Sequence, residues 1–286
     1  MMRKFAVLFA TLVTFLPMAI PSRAQTNIIK DTFQENTSAQ SYPNLEIDGV
    51  KASPTNLPGS SWQLASGDGT YEAFITTATA SSGDTAALKN SAACFHNVAS
   101  AGLSLTSSGS YVKPAALTIS ADLSFGGASP TGYCLLGFYS ALPGKSTYNP
   151  LANFTGLQLQ KDGSLQLIEA GTSGANGITY MGKYDPAKPV TLSYTIDANK
   201  GTISNITLSG STSTYAISSS AFTSAATAFA GIGGQTDGTS WSFFNNFVVS
   251  TPDMSTPALS APPAVATTPA PTVPPAPTPA APAKAP

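Results

Sequence analysis

The run Leu117-Thr118-Ile119-Ser120-Ala121-Asp122-Leu123-Ser124-Phe125 decides the class of fold. Its odd-numbered residues are apolar and its even-numbered ones polar. A strand with one face in a core and the other in water demands that period of two, because successive side chains leave opposite faces. Val190-Thr191-Leu192-Ser193-Tyr194-Thr195-Ile196 and Thr202-Ile203-Ser204-Asn205-Ile206-Thr207-Leu208 continue in the same manner. No part of the body sustains a helical period.

Turn chemistry separates these runs. Leu157-Gln158-Leu159-Gln160-Lys161 and Ser164-Leu165-Gln166-Leu167-Ile168 flank Asp162-Gly163, a pair that accepts the positive φ angles of a tight hairpin. Asp197-Ala198-Asn199-Lys200-Gly201 joins the next two runs through a longer loop. Many strands, meandering hairpins and no helix predict one antiparallel β-sandwich or jelly roll over residues 25–250.

The flanks differ sharply from this body. Residues 1–24 open with Arg3 and Lys4, continue through an apolar run from Phe5 to Leu16 and close on Ser22-Arg23-Ala24. That arrangement predicts a cleaved secretory signal peptide, and the apolar run falls short of the roughly 20 residues that a spanning helix needs. Residues 251–286 are almost wholly Pro, Ala, Thr and Ser. Such a composition cannot offset its ordering entropy, so a disordered, semi-rigid tail is expected, serving as a spacer or having no partner of its own. The expected localisation is secreted, periplasmic or cell surface, with no transmembrane segment and a monomeric body.

Losing the signal peptide removes three cations and no acid, which takes the formal charge from −1 to −4 and leaves no arginine. The remaining lysines are scattered, so nucleic acid is excluded as a partner for want of a basic patch and of guanidinium forks. Few charges with many Ser, Thr, Gly and Asn suit an exported β-protein whose outer faces are polar but uncharged.

Two ends of the body resemble a family. Asp31-Thr32-Phe33, followed by Ser61-Trp62-Gln63-Leu64-Ala65, is similar to the start of exported bacterial concanavalin A-like or laminin-G-like jelly rolls. Phe229-Ala230-Gly231-Ile232-Gly233-Gly234 leading into Ser242-Phe243-Phe244-Asn245-Asn246-Phe247-Val248-Val249-Ser250 resembles their closing strands. The resemblance implies a concanavalin A-like sandwich and, for function, either carbohydrate binding or cleavage.

The stretch Asn44-Leu45-Glu46-Ile47-Asp48-Gly49-Val50-Lys51 begins like the Glu-x-Asp-x-x-Glu strand of laminarinase-type glucanases, yet Lys51 stands where the last Glu belongs. Gly49 and the Pro-rich flank predict a loop or short edge strand there. Two carboxylates about 5 Å apart carry a retaining glycosidase; the body's other glutamates, Glu35, Glu72 and Glu169, have no second acid within three residues. No catalytic residue is assigned. His96 is the single histidine and is expected to be structural. No metal site and no cofactor are expected: Asp68, Asp84 and Asp237 lie in Gly/Ser loops but make no calcium ligand run. Cys94 and Cys134, an even pair in an exported chain, are expected to form a disulfide, the alternative being two buried thiols.

Sugar binding needs aromatic faces and amides on loops at a sheet rim. The loop from Tyr139 to Asn153 offers Tyr148, Asn149 and Asn153, and a second, Gly174 to Tyr180, offers Asn176 and Tyr180. Trp62 and Trp241, set in strand-like patterns, are expected in the core. The function these features suggest is a non-catalytic carbohydrate-binding or surface and matrix interaction module, with a polysaccharide or surface glycan as partner. A glycoside hydrolase or polysaccharide lyase of the same fold, or a purely structural envelope protein, are the alternatives.

Overall fold

A computed structural model describes residues 25–33, 44–52, 57, 61–67, 73–76, 92–95, 98–106, 111–127, 130–145, 148–169, 177–209, 211–212, 217–218, 223, 225–236 and 240–252. In chain order the strands are β1 (Asn27–Asp31), β2 (Asn44–Glu46), β3 (Gln63–Ser66), β4 (Ala73–Thr76), β5 (Ala92–Phe95), β6 (Val98–Ser104), β7 (Ala116–Gly127), β8 (Tyr133–Tyr139), β9 (Phe154–Gln160), β10 (Ser164–Glu169), β11 (Gly177–Lys183), β12 (Val190–Asp197), β13 (Thr202–Leu208), β14 (Ser211–Thr212), β15 (Ile217–Ser218), β16 (Phe229–Gln235) and β17 (Ser240–Ser250). They form two antiparallel sheets. A ten-stranded sheet runs β14-β13-β12-β7-β17-β5-β4-β2, with β1 also on β17 and β15 on β13, and a seven-stranded sheet runs β11-β10-β9-β8-β16-β6-β3. The chain changes sheet between β2 and β3, β3 and β4, β5 and β6, β6 and β7, β7 and β8, β11 and β12, β15 and β16, and β16 and β17, the crossings of a jelly-roll sandwich. Among the described residues no helix is long and apolar enough to cross a membrane.

The core lies where the alternation puts it. Leu117, Ile119, Ala121 and Leu123 of β7 face Leu136, Phe138, Leu157 and Leu159 of the other sheet, and all are essentially without exposure. Each such large side chain contributes about 1.5–3 kcal/mol by leaving water. The hairpin turn also forms as its sequence predicts: Gly163 has φ +87°, its N–H donates to Gln160 O at 3.0 Å, and Asp162 Oδ1 accepts the Ser164 N–H at 2.7 Å. Beside it Lys161 does something no local pattern reveals. Its ammonium donates to the carbonyls of Gly126 and Gly127 and to Ser240 Oγ, at 3.2, 2.8 and 3.2 Å, and so ties a turn of one sheet to strand ends of the other.

The motifs that resemble the jelly-roll family meet in one buried knot. Trp62 Nε1 donates to Asp31 Oδ2 at 2.7 Å while Asp31 Oδ1 accepts the Phe33 N–H at 2.8 Å. The Trp62 ring packs on Phe33 and edge-on against Phe247 of the closing strand, with centroids 5.7 and 5.1 Å apart. These residues are therefore structural, joining the two ends of the body.

Three expectations need correction. Cys94 and Cys134 are not bridged: both are buried free thiols, on different sheets. Cys134 belongs to the core between the sheets, whereas in β5 it is Ala93 and Phe95 that enter the core, so alternation turns Cys94 away from it. Burial raises both thiols, Cys134 to about 12. Trp241 is half-buried, outside the core: it alternates with the buried Ser240 and Ser242 and therefore lies on the outer face of the ten-stranded sheet. Finally, Gly177 to Tyr180 is strand, not loop. Ile178, Thr179 and Tyr180 are β-branched and aromatic, and β10 offers them a free edge that they pair along.

Candidate functional site

Following the registers across the seven-stranded sheet places its outward-facing residues in three lateral rows. The first holds Phe229, Tyr139 and Phe154 side by side on β16, β8 and β9. The second is glycine: Gly102, Gly231, Gly137 and Gly156 stand opposite one another on β6, β16, β8 and β9. The third is Ser100, Gly233, Leu135, Gln158 and Gln166, with Gln166 paired by its backbone to Tyr180 of the edge strand β11. Beyond it lie Gln235, Tyr133 and Gln160.

The glycine row makes room for the aromatic row. Tyr139's ring occupies the space a Cβ on Gly231 would need, Phe154 Cζ lies 2.7 Å from a Cβ on Gly137, and Leu142 Cδ2 lies 2.7 Å from one on Gly102. Tyr133, Leu135, Tyr139, Phe154 and Ile168 thereby form a second apolar cluster outside the main core, joined by Leu142, Leu151 and Phe229. Tyr139 and Phe154 meet edge-on at 5.2 Å. Leu142 and Leu151 come from the loop between β8 and β9, so this cluster is the loop's foundation.

Hydrogen bonds then fix the loop's course. Tyr139 Oη donates to Pro150 O at 2.9 Å, and the Ser140 N–H donates to Asn153 O at 3.1 Å. Burial pushes the Tyr139 phenol well above its ordinary value and keeps it a donor. Asn149 Oδ1 accepts the Leu151 N–H at 3.2 Å; Asn153 Nδ2 donates to Ala141 O at 3.3 Å, with its own φ at +61°. Both asparagines, expected as sugar ligands, thus spend side-chain atoms on loop shape. Tyr148 does not. The residue is 54% exposed, and its φ of +45° is a conformation rarely held by an aromatic residue.

The loop is also latched from the other sheet. Lys145 pairs with Asp48 Oδ2, and Asp48 Oδ1 accepts the Leu64 N–H at 2.8 Å. Partial burial raises the Asp48 carboxyl, but the hydrogen bonds from Lys145 and Leu64 outweigh it and hold the group below its ordinary value. The glucanase-like stretch therefore serves as a short edge strand and a tether. Glu46 is exposed on β2, at the end of the ten-stranded sheet.

Away from the loop the face is a field of amides. Gln160 Nε2 donates to Gln158 Oε1 at 3.1 Å and to Gln166 Oε1 at 3.3 Å, and Tyr133 Oη donates to Gln235 Oε1 at 2.8 Å. Burial holds the Tyr133 phenol well above its ordinary value, so it donates at neutral pH. Sequence inspection missed these residues as a group. Gln158 and Gln160 are legible as outward-facing, but only the register brings Gln166 of β10 opposite Gln158. Of the expected site residues, Tyr148, Asn149 and Asn153 share the loop; Tyr180 stands apart, opposite Gln166, with its side chain outside the described residues. Asn176, His96, Glu35, Glu72, Asp68, Asp84 and Asp237 also lie outside them, as do residues 1–24 and 253–286. Among the described residues no three His, Cys, Asp or Glu side chains cluster as a metal site would require.

No family model matches the sequence, and no curated protein matches it. Among solved structures, a carbohydrate esterase from the Shiga toxin-encoding bacteriophage phi24B is similar at 14% identity and a TM-score of 0.44, over 79% of this chain and 99% of that one. The carbohydrate recognition domain of Emp47p is similar at 16% identity and a TM-score of 0.42, over 73% of this chain and 94% of that one. Alginate lyase A1-II', of polysaccharide lyase family 7, is similar at 12% identity and a TM-score of 0.38, over 57% and 81%.

Proposed function

We propose that the protein is an exported, non-catalytic carbohydrate-binding module, whose ligand lies on the outer face of the seven-stranded sheet against the β8–β9 loop. The observation that carries this reading is the hydrogen-bonded amide group of Gln160, Gln166 and Gln235 on that face, with Gln158 buried among them, together with the exposed Tyr148 on the β8–β9 loop. Amides offer a donor and an acceptor on one planar group, and aromatic faces accept the C–H edges of a pyranose. The central rows of this face carry no carboxylate among the described residues, which supports binding over acid/base cleavage. Within the same reading, residues 1–24 direct export and residues 251–286 act as a spacer that holds the module away from its attachment.

A glycan array with the exported protein, run beside a reducing-sugar release assay on the same polysaccharides, tests this. Binding without release is expected. Release abolished by Glu46→Gln would replace the binding role with a hydrolase, and neither binding nor release would favour a structural envelope role.

A further inference from the structure

We infer that the outer face of the seven-stranded sheet selects uncharged polysaccharides over polyanionic ones; the inference rests on the carbohydrate-binding reading above and names its ligand class. The reason is the fate of the cations around the face. Lys161 is consumed by Gly126 O, Gly127 O and Ser240 Oγ. Lys145 is paired with Asp48, and Lys113 donates to Thr227 O and Oγ1, both at 3.1 Å. Lys183 is exposed, but it stands on the edge strand β11 opposite Ser164, with β10 between it and the Gln158–Gln160 pair on β9. No arginine follows Arg23, so no guanidinium fork can meet a carboxylate or sulfate from anywhere in the body.

The amides themselves sharpen the choice. Gln166 accepts from Gln160 and Gln235 accepts from Tyr133 through side-chain oxygens on this face, and the buried Gln158 adds a third amide oxygen next to Gln160. A sugar hydroxyl both donates and accepts, so it satisfies amide oxygens and amide N–H groups alike, whereas a carboxylate accepts only and sets its charge against those oxygens. A carboxylate laid here would give up hydration without gaining an opposite charge. The chain's acidic balance after residue 24 adds a long-range repulsion for polyanions.

Matched polymers isolate charge from backbone: hydroxyethylcellulose against carboxymethylcellulose, and carboxyl-reduced polygalacturonate against polygalacturonate, with dextran, a galactomannan and a β-1,3-glucan as further neutral probes. In affinity gel electrophoresis of the full exported chain, at least one neutral polymer should retard migration, and the charged member of each pair should bind about tenfold more weakly or not at all. Gln166→Lys, at a half-buried position on the face, should raise affinity for the charged members about fivefold, as one new exposed ion pair does. A charged polymer bound as tightly as its neutral partner by the wild type, or no gain in Gln166→Lys, overturns the selectivity. Should no polymer of either kind retard the chain, the carbohydrate-binding reading itself fails, and the inference with it.

Discussion

The two outer faces of the sandwich are built from the same alternation yet differ in what they hold. On the ten-stranded sheet, Thr118, Ser120 and Asp122 of β7 stand beside Thr195, Ser193 and Thr191 of β12. These are short groups that satisfy one another: Thr118 and Thr195 hydroxyls are 2.9 Å apart, and Asp122 accepts from Thr191 Oγ1 and Asn246 Nδ2, both at 2.6 Å. On the seven-stranded sheet the outward positions are glycines, large aromatics and glutamines, and a loop is seated there. Side chains that neutralise their neighbours make a solvated wall. Long amides beside an aromatic cluster and a held loop are what the proposed ligand would meet on the other face.

That contrast can be broken by substitution, and the effects should descend in a definite order. Tyr139→Ala removes a fully buried ring and the loop's anchor to Pro150, and should cost about 3–5 kcal/mol in urea unfolding. Gly231→Ala puts a methyl where that ring lies and should cost about 1–3 kcal/mol by overpacking. The Asp48 latch is weaker because Lys145 is largely exposed, so it should contribute under about 1 kcal/mol. Its sign is fixed: Asp48 is depressed in the folded chain, so its stabilisation is complete above the unfolded value near 3.9 and fades as pH falls through the lower folded value. Asp48→Asn should therefore flatten the acid limb of a pH–stability curve. Smallest of all, Ser193→Ala on the opposite wall should stay within about 0.5 kcal/mol. A Ser193→Ala cost comparable to that of Gly231→Ala would erase the distinction between the faces.

The sequence made one half of this contrast readable and hid the other. Strict alternation in β7 and β12, and the Asp162-Gly163 turn, are local signals, and they announce strands, faces and a hairpin without help from the fold. The outer face of the seven-stranded sheet depends on partners far apart in the chain. Gly102 meets Gly231, and Gly231 meets Gly137, only after the sheet has assembled, so the glycine row and the ring it admits leave no local trace. Aromatics and asparagines mark the loop, yet Asn149 and Asn153, though exposed, bond the loop's backbone at Leu151 and Ala141, a use that residue type alone does not distinguish from ligand binding. Lys161 and Lys145 read as scattered surface charges because their partners, Ser240 and Asp48, are 79 and 97 residues away.

The most direct test sets the two walls against each other in one assay. With a neutral polymer that retards the wild-type chain in an affinity gel, Gln160→Ala with Gln166→Ala should weaken retention by about tenfold or more, since each amide bonded to a hydroxyl is worth about 1 kcal/mol. Thr191→Ala with Ser193→Ala, on the opposite sheet, should leave retention unchanged. Loss of retention in the threonine–serine pair with none in the glutamine pair would place the ligand on the other sheet and contradict the account.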